Sequence, residues 1–266
     1  MCANERSRAV SAIFAPMIAK PQTTSEDITA RINRYAEIGG SYVSSTDIAW
    51  RAVKRDIDAL IKVDPEMGWS LYGSWNSKSG NLEEAERGFR AALQLGNSIA
   101  VVGNWVVHKQ NSGLFRDALD ISREYGEPTL GNFVSMFPKI LRSGGIHTAV
   151  DYLEQAKRMN IDLGNLDTSD AELADDLLKR AGLTDEEISR HLDLAGEILR
   201  KHKQLWVGED ICRVRDIDGV YSGVTFTFPL KLSPMEVFEC NCELADAEIS
   251  AGIKRHPFFD VVFSAA

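Results

Sequence analysis

The chain has 266 residues, of which 44% are hydrophobic and 26% are charged, and a chain of this composition can bury a globular core without disulfide bonds. Its 39 acidic and 30 basic residues give a formal net charge of −9, which disfavours nonspecific binding to nucleic acid or anionic lipid. No apolar run approaches the ~18 residues of a membrane span. The four cysteines form no C-x-x-C pair, so we expect free thiols, a reducing cytoplasmic location and no membrane association.

Residues 1–25 are interpreted as an N-terminal tail, because their apolar stretch is interrupted by proline and lacks a convincing cleavage site. Two helices are predicted next. Ser25 can cap a helix over 26–38 and Thr46 a helix over 47–63, and both segments carry apolar residues at helical spacing. The short Gly-Gly-Ser loop between them predicts a helical hairpin.

An internal repeat follows, and it is the most informative feature of the sequence. Gly80, Gly113 and Gly144 stand 33 and then 31 residues apart. Each is followed five residues later by an alanine: Ala85, Ala118 and Ala149. A glycine in the turn permits a positive φ, so the chain can reverse tightly, and a small alanine lets the preceding helix pack closely. The pattern therefore predicts three further hairpins, with Ala85 and Ala118 buried between helices.

The first of these units resembles the tetratricopeptide repeat within 68–97. The matching residues keep the order and spacing of the family: Trp69, Gly73, Gly80, Ala85, Phe89 and Ala92. The second and third units keep the glycine and the alanine, so the resemblance extends over about residues 66–160. The third unit, 129–161, is also similar to a pentatricopeptide repeat, a related hairpin associated with single-stranded RNA.

The resemblance implies a binding protein whose first helices, at about 67–79, 98–111 and 130–143, line a concave groove. Polar side chains on these helices are the candidate partner-binding residues: Ser70, Ser74, Asn104, His108, Lys109 and Lys139. Gly103 and Val107 stand where the preceding unit has Ser70 and Ser74. That difference argues against the subtype that grips a C-terminal carboxylate.

The polar segment 160–168 predicts a boundary between a helical repeat domain, 26–160, and a small α+β domain, 169–266. Thr184 and Glu187 predict a capping box at the start of a helix. Strands are predicted at 211–217 and 220–230, joined by an Asp-Gly turn, and at 258–263 after a further helix. The fold class is therefore mainly α: a helical-hairpin array followed by an α-β-β-α-β unit whose last two strands are parallel.

Two expectations concern the end of the chain. The helix before the last strand carries apolar residues at helical spacing, which predicts a buried stripe: Met235, Phe238, Cys242, Ala245 and Ile249. The last strand has one charge, Asp260, and is poorly protected if it lies at a sheet edge. We therefore expect it either to be central in the sheet or to pair across a homodimer.

No catalytic motif stands out, and no cofactor or metal is expected. Cys240 and Cys242 point to different faces of a helix, and His191 and His202 are interpreted as surface histidines. The leading hypothesis is a protein- or peptide-binding adaptor. An RNA-binding protein is a second hypothesis, which the net charge disfavours. An enzyme with a site between the two domains is a third.

Overall fold

The computed structural model describes residues 25–37, 40–129, 131–206, 212–217 and 221–266. Residues 1–24 of the predicted tail and the predicted Asp-Gly turn lie outside the described residues. The array begins with paired helices: α1 (Ser25–Glu37), α2 (Ile48–Leu60), α3 (Pro65–Lys78), α4 (Leu82–Leu95), α5 (Ile99–Asn111), α6 (Phe115–Tyr125), α7 (Phe133–Arg142) and α8 (Ile146–Arg158). The C-terminal part continues with α9 (Ser169–Ala181), α10 (Asp185–Lys201), β1 (Cys212–Ile217), β2 (Tyr221–Leu230), α11 (Pro234–Ser250) and β3 (Phe259–Ala265).

The helices pack as successive antiparallel hairpins, which confirms the mainly α class with a C-terminal α+β part. Within each pair the helices contact each other, and the first helices α1, α3, α5 and α7 also contact their neighbours in the row. The predicted cap of the second helix was one residue early. Asp47, rather than Thr46, caps α2, because its Oδ1 accepts a hydrogen bond from the Trp50 N–H at 2.7 Å.

The repeat glycines have the backbone conformation that their spacing predicts. Gly80, Gly113 and Gly144 have φ values of +78°, +65° and +82°, and each lies in the turn between two helices of a hairpin. Ala85 and Ala118 are fully buried, as predicted, so the second helix of each hairpin approaches the first closely.

Helix α10 lies against the hairpin turns that contain Gly113 and Gly144. A Cβ atom added to Gly196 of α10 would lie only 1.9 Å from the carbonyl oxygen of Gly113. A Cβ on Gly144 would lie 2.9 Å from side-chain atoms of both Ile188 and Leu192. Glycine therefore serves two purposes at the turns of Gly113 and Gly144: it permits the reversal, and it leaves room for α10.

The C-terminal sheet has the order β1-β2-β3, with β1 and β2 antiparallel and β2 and β3 parallel. Its apolar side chains, including Phe226 and Phe228, pack against α9, α10 and α11. The same hydrophobic cluster contains Phe115 and Ile146 from the array. The repeat part and the sheet part of the chain therefore share a core.

One expectation about the C-terminal part is wrong, and one of the two alternatives for its last strand is excluded. The predicted buried stripe of α11 is exposed at Met235, Phe238 and Ile249, while Val237 and Leu244 on another face are buried. Since α11 has apolar residues on two faces, its sequence pattern did not show which face meets the core. Strand β3 lies at an edge of the described sheet, because β1 pairs with one side of β2 and β3 with the other. Of the two expected alternatives for this strand, the central position is therefore excluded, and pairing across a homodimer stays a prediction.

Candidate functional site

A small cavity with both polar and apolar lining residues lies between the first helices α1, α3 and α5, on the face predicted to form the groove. Its volume is about 80 Å³. The lining residues come from all three helices: Thr29, Ile32, Asn33, Leu71, Ser74, Ser77, Lys78, Asn104, Val107, His108 and Asn111. By the same measure of volume, one water molecule needs roughly 10–15 Å³. The cavity therefore has room for several waters or for one small polar group.

Lys78 is the most unusual residue in this cavity. It is the last residue of α3, and only 7% of it is exposed. No described residue forms a hydrogen bond or an ion pair with its ammonium group, and burial lowers its pKa from 10.5 to about 8. A buried ammonium without a partner loses much of its hydration. The cavity is therefore suited to an anionic group that would pair with Lys78.

Sequence reasoning missed Lys78 because a lysine in the last turn of a helix has an ordinary explanation. Cations there interact favourably with the helix dipole while remaining in solvent. Its burial comes from α1 and α5, which lie far away in the sequence. One feature of the sequence could have identified it: Lys78 lies at the end of the helix predicted over 67–79, which is one of the helices predicted to line the groove.

Ser70, Ser74 and Asn104 form one wall of the site. The Asn104 Nδ2 donates to the Ser70 Oγ at 3.1 Å, across the contact between α3 and α5. The Ser74 hydroxyl donates to the carbonyl oxygen of Ser70 at 3.2 Å. Ser74 and Asn104 line the cavity, whereas Ser70 is fully buried behind them. Ser70 therefore orients the Asn104 amide rather than presenting its own hydroxyl to a ligand.

His108 lines the same cavity and is almost completely buried. Its ring stacks on Phe89 with a centroid distance of 5.3 Å, and its Nδ1 lies 3.4 Å from the Ser112 Oγ. Burial, with a smaller contribution from the neighbouring Lys109 charge, lowers the pKa of His108 to about 3. The imidazole is therefore neutral at physiological pH, and it does not compete with Lys78 for an anion.

The two lysines that were predicted to bind a partner, Lys109 and Lys139, do not line this cavity. The Lys109 ammonium pairs with Glu86 at 3.1 Å and with Asp117 at 2.8 Å, which ties α5 to the second helices α4 and α6. The Lys139 Nζ donates to the backbone carbonyl of Ser135 on its own helix at 2.6 Å. Burial lowers the pKa of Lys139, and its stem crosses Gly103 on α5.

The C-terminal part contains a second polar cavity, of about 230 Å³, between α10, α11 and the start of β3. His191 was interpreted as a surface residue, and that is wrong: it is buried, and its Nδ1 lies 3.0 Å from the Glu248 Oε1. The second Glu248 oxygen accepts from the Arg255 Nε at 2.9 Å. Although burial raises the pKa of Glu248, these two partners lower it below its usual value.

The junction between α8, α9 and α10 has a histidine whose ring nitrogens are both occupied. The His147 Nδ1 lies 2.6 Å from the Asp175 Oδ1, and its Nε2 lies 2.7 Å from the carbonyl oxygen of Leu183. Burial lowers the pKa of His147, but the two hydrogen bonds together with the negative charges of Asp185 and Asp175 raise it above its usual value. An imidazole held in this way joins helices, and neither nitrogen is free to take a proton from a substrate.

These features define the class of structure as a helical-hairpin array joined to a small α+β unit. Comparisons with protein-family models, with curated proteins and with solved structures give no match. The described residues contain no helix that is long and apolar enough to cross a bilayer, and no group of three side chains placed to hold a metal ion.

Proposed function

We propose that the protein binds an acidic segment of a peptide or partner protein, with a carboxylate of that segment paired to Lys78 in the cavity between α1, α3 and α5. The observation that supports the proposal is the ammonium of Lys78, which has no partner among the described residues and belongs to a residue that is only 7% exposed. A charge-assisted hydrogen bond to a ligand carboxylate would offset the cost of burying this charge.

The surroundings of Lys78 suit a carboxylate better than a larger anion. The cavity volume of about 80 Å³ accommodates a carboxylate and a short stem. The amides of Asn104 and Asn111 and the hydroxyl of Ser77 line it, and they supply further hydrogen-bond donors. Leu71 and Val107 in the same lining offer apolar contact to the stem of the ligand side chain.

The proposal implies that binding depends on pH. Lys78 has a pKa of about 8 in the free protein, so part of the population is neutral under mildly alkaline conditions. A bound carboxylate favours the charged ammonium and raises this pKa. Affinity should therefore fall as the pH rises through about 8, and binding above that pH should take up protons.

A random peptide library displayed on phage provides the test. We expect the full chain to enrich peptides with Asp or Glu at one fixed position. Synthetic copies should bind Lys78→Met roughly tenfold more weakly, the loss expected for one charge-assisted contact. Lys62→Met is the matched control, because Lys62 is an exposed lysine outside the cavity lining. Enriched peptides without a carboxylate, or binding that Lys78→Met leaves intact, would refute the proposal.

The same protein samples can be used to distinguish binding of a peptide from binding of RNA. An RNA ligand recognised through its phosphates would dissociate steeply with added salt and would be removed by nuclease. A carboxylate held in a buried cavity is screened much less by salt. Persistence of the complex at moderate salt after nuclease treatment would support the peptide, and loss in both conditions would support RNA.

A further inference from the structure

Helix α11 presents an apolar seam to solvent. Met235, Phe238 and Ile249 are 67%, 63% and 75% exposed, and Cys242 is exposed between them. Together with Ala245 these residues are separated by three, four, three and four positions. This is the spacing of the a and d positions of a coiled-coil heptad. A strip of large apolar side chains of this kind marks an interaction surface.

The orientation of α11 is fixed by polar contacts on its other faces. The Asn241 side chain bonds the backbone of Phe263 on β3. Glu248 pairs with His191 on α10, and Glu243 lies 2.9 Å from Lys201 at the end of the same helix. Rotating the helix to bury the exposed seam would break all of these contacts and would expose Val237, Cys240 and Leu244. The seam therefore belongs to the folded state.

The charges on α11 indicate which partner fits. The helix contains acidic residues and no basic residue: Glu236, Glu239, Glu243, Asp246 and Glu248. Glu239 and Asp246 are exposed, and both occupy the e position of the heptad beside the seam. Residues at these positions determine partner choice through interhelical ion pairs. A second copy of α11 would bring like charges together, whereas a basic helix would pair with them.

We propose that the seam of α11 binds an amphipathic helix of a partner protein, with apolar residues at its a and d positions and Lys or Arg beside them. This surface is separate from the Lys78 cavity, and the inference does not depend on the proposed function. The partner helix covers Phe238 and Ile249 with its apolar face, and its basic side chains pair with Glu239 and Asp246.

Two synthetic three-heptad peptides test the proposal with the full-length chain. Both have Leu at a and d; one has Lys at e and g, and the other has Glu there. We expect the Lys peptide to bind in fluorescence anisotropy, and the Glu peptide to bind roughly tenfold more weakly or not at all. The double variant Phe238→Gln, Ile249→Gln should lose most of the affinity for the Lys peptide, since these residues are exposed and their replacement leaves the fold intact.

Val63→Gln is the matched control, because Val63 is 79% exposed and lies in the turn after α2, outside the seam. Equal binding of the Lys peptide to the double variant would show attraction by net charge alone, and it would overturn the proposal. Failure of the Lys peptide to bind the original chain would also overturn it.

Alkylation of Cys242 shows whether the seam is free before the peptide is added. We expect Cys242 to react with iodoacetamide readily and to be protected by the Lys peptide, while Cys240, which is buried, reacts slowly. Protection of Cys242 without peptide would mean that another segment of the chain, such as residues 1–24, or a second copy covers the seam. Sedimentation of the same sample would distinguish these two, and either result would overturn the proposal.

Discussion

The side chain of Asn241 on α11 makes two hydrogen bonds to the backbone of Phe263 on β3. Its Nδ2 donates to the Phe263 carbonyl oxygen at 2.9 Å, and its Oδ1 accepts from the Phe263 N–H at 2.9 Å. A carboxamide has the same donor and acceptor groups as a peptide unit, so Asn241 satisfies the edge strand as a neighbouring strand would.

Two further donors of β3 are occupied within the chain. The Val261 N–H donates to the Asp260 Oδ1 at 3.0 Å, and the Phe259 N–H donates to the carbonyl oxygen of His256 at 3.2 Å. Because unpaired donors are what make an edge strand available to another strand, this arrangement disfavours a homodimer paired through β3. It also explains how β3 tolerates an edge position with a single charge.

Asn241→Leu should therefore destabilise the protein and uncover the edge. Leaving the N–H and C=O of Phe263 unsatisfied is expected to cost about 1–3 kcal/mol, and the variant should associate as its concentration rises. Urea unfolding measures the first effect and sedimentation measures the second. Asn165→Leu is the control, because Asn165 is exposed. A variant as stable and as monomeric as the original chain would contradict the prediction.

Lys78→Met should stabilise the protein at neutral pH, by roughly 1–3 kcal/mol, because it removes an unpaired charge that burial of the residue disfavours. In the original chain the unfolded state binds the Lys78 proton up to pH 10.5 and the folded state only up to about 8. Its stability should therefore rise between pH 8 and pH 10.5, and the advantage of Lys78→Met should shrink over that range.

Chemical denaturation at a series of pH values checks this prediction, with Lys62→Met measured alongside. A loss of stability in Lys78→Met at neutral pH would mean that the ammonium has a stabilising partner. In that case the cavity would already be satisfied in the free protein, and the argument for an anionic ligand would fail with it.

His108 should make the protein sensitive to mild acid. Its pKa is about 3 in the folded protein against 6.5 in the unfolded chain, because burial penalises the charged imidazole. The unfolded state therefore binds a proton that the folded state does not bind, and stability should be lost as the pH falls from 6.5 towards 3. His108→Gln should lower stability at neutral pH. Between pH 6.5 and pH 3, however, the unfolding free energy of this variant should depend less steeply on pH, by the equivalent of up to one bound proton. His256→Gln is the control, because His256 is half-exposed. If His108 causes the loss of stability in acid, His256→Gln should leave the pH dependence of the unfolding free energy unchanged.

Gly196→Ala should destabilise the protein even though alanine favours helices by about 1 kcal/mol over glycine. The added Cβ would lie 1.9 Å from the carbonyl oxygen of Gly113, and backbone atoms on both sides must move apart. We expect a loss of roughly 2–4 kcal/mol in thermal or urea unfolding. Gly103→Ala is the matched helical control, since its Cβ would meet only the flexible Lys139 side chain at 3.4 Å. Similar effects at both positions would contradict the close approach of α10 to the repeat turns.

The sequence by itself determined the features that depend on nearby residues. The spacing of Gly80, Gly113 and Gly144 predicted the hairpin turns, because a tight reversal needs a positive φ that glycine adopts without strain. The Thr184 and Glu187 pair predicted a capping box, which the structure has. The α-β-β-α-β order and the parallel pairing of β2 and β3 also followed from local signals and from the length of the crossover.

Only the tertiary structure decided the features that depend on distant segments. A helical period identifies the apolar faces of α11, but which face meets the core depends on β3 and α10, and the prediction chose the wrong one. Lys78 has no local feature that distinguishes it from a solvated lysine; α1 and α5 line the cavity beside it, and only 7% of the residue stays exposed. His191 is buried because Glu248, on another helix, supplies the partner that a buried imidazole needs. Burial of a polar group depends on which distant groups surround it, and chain folding alone brings those groups together.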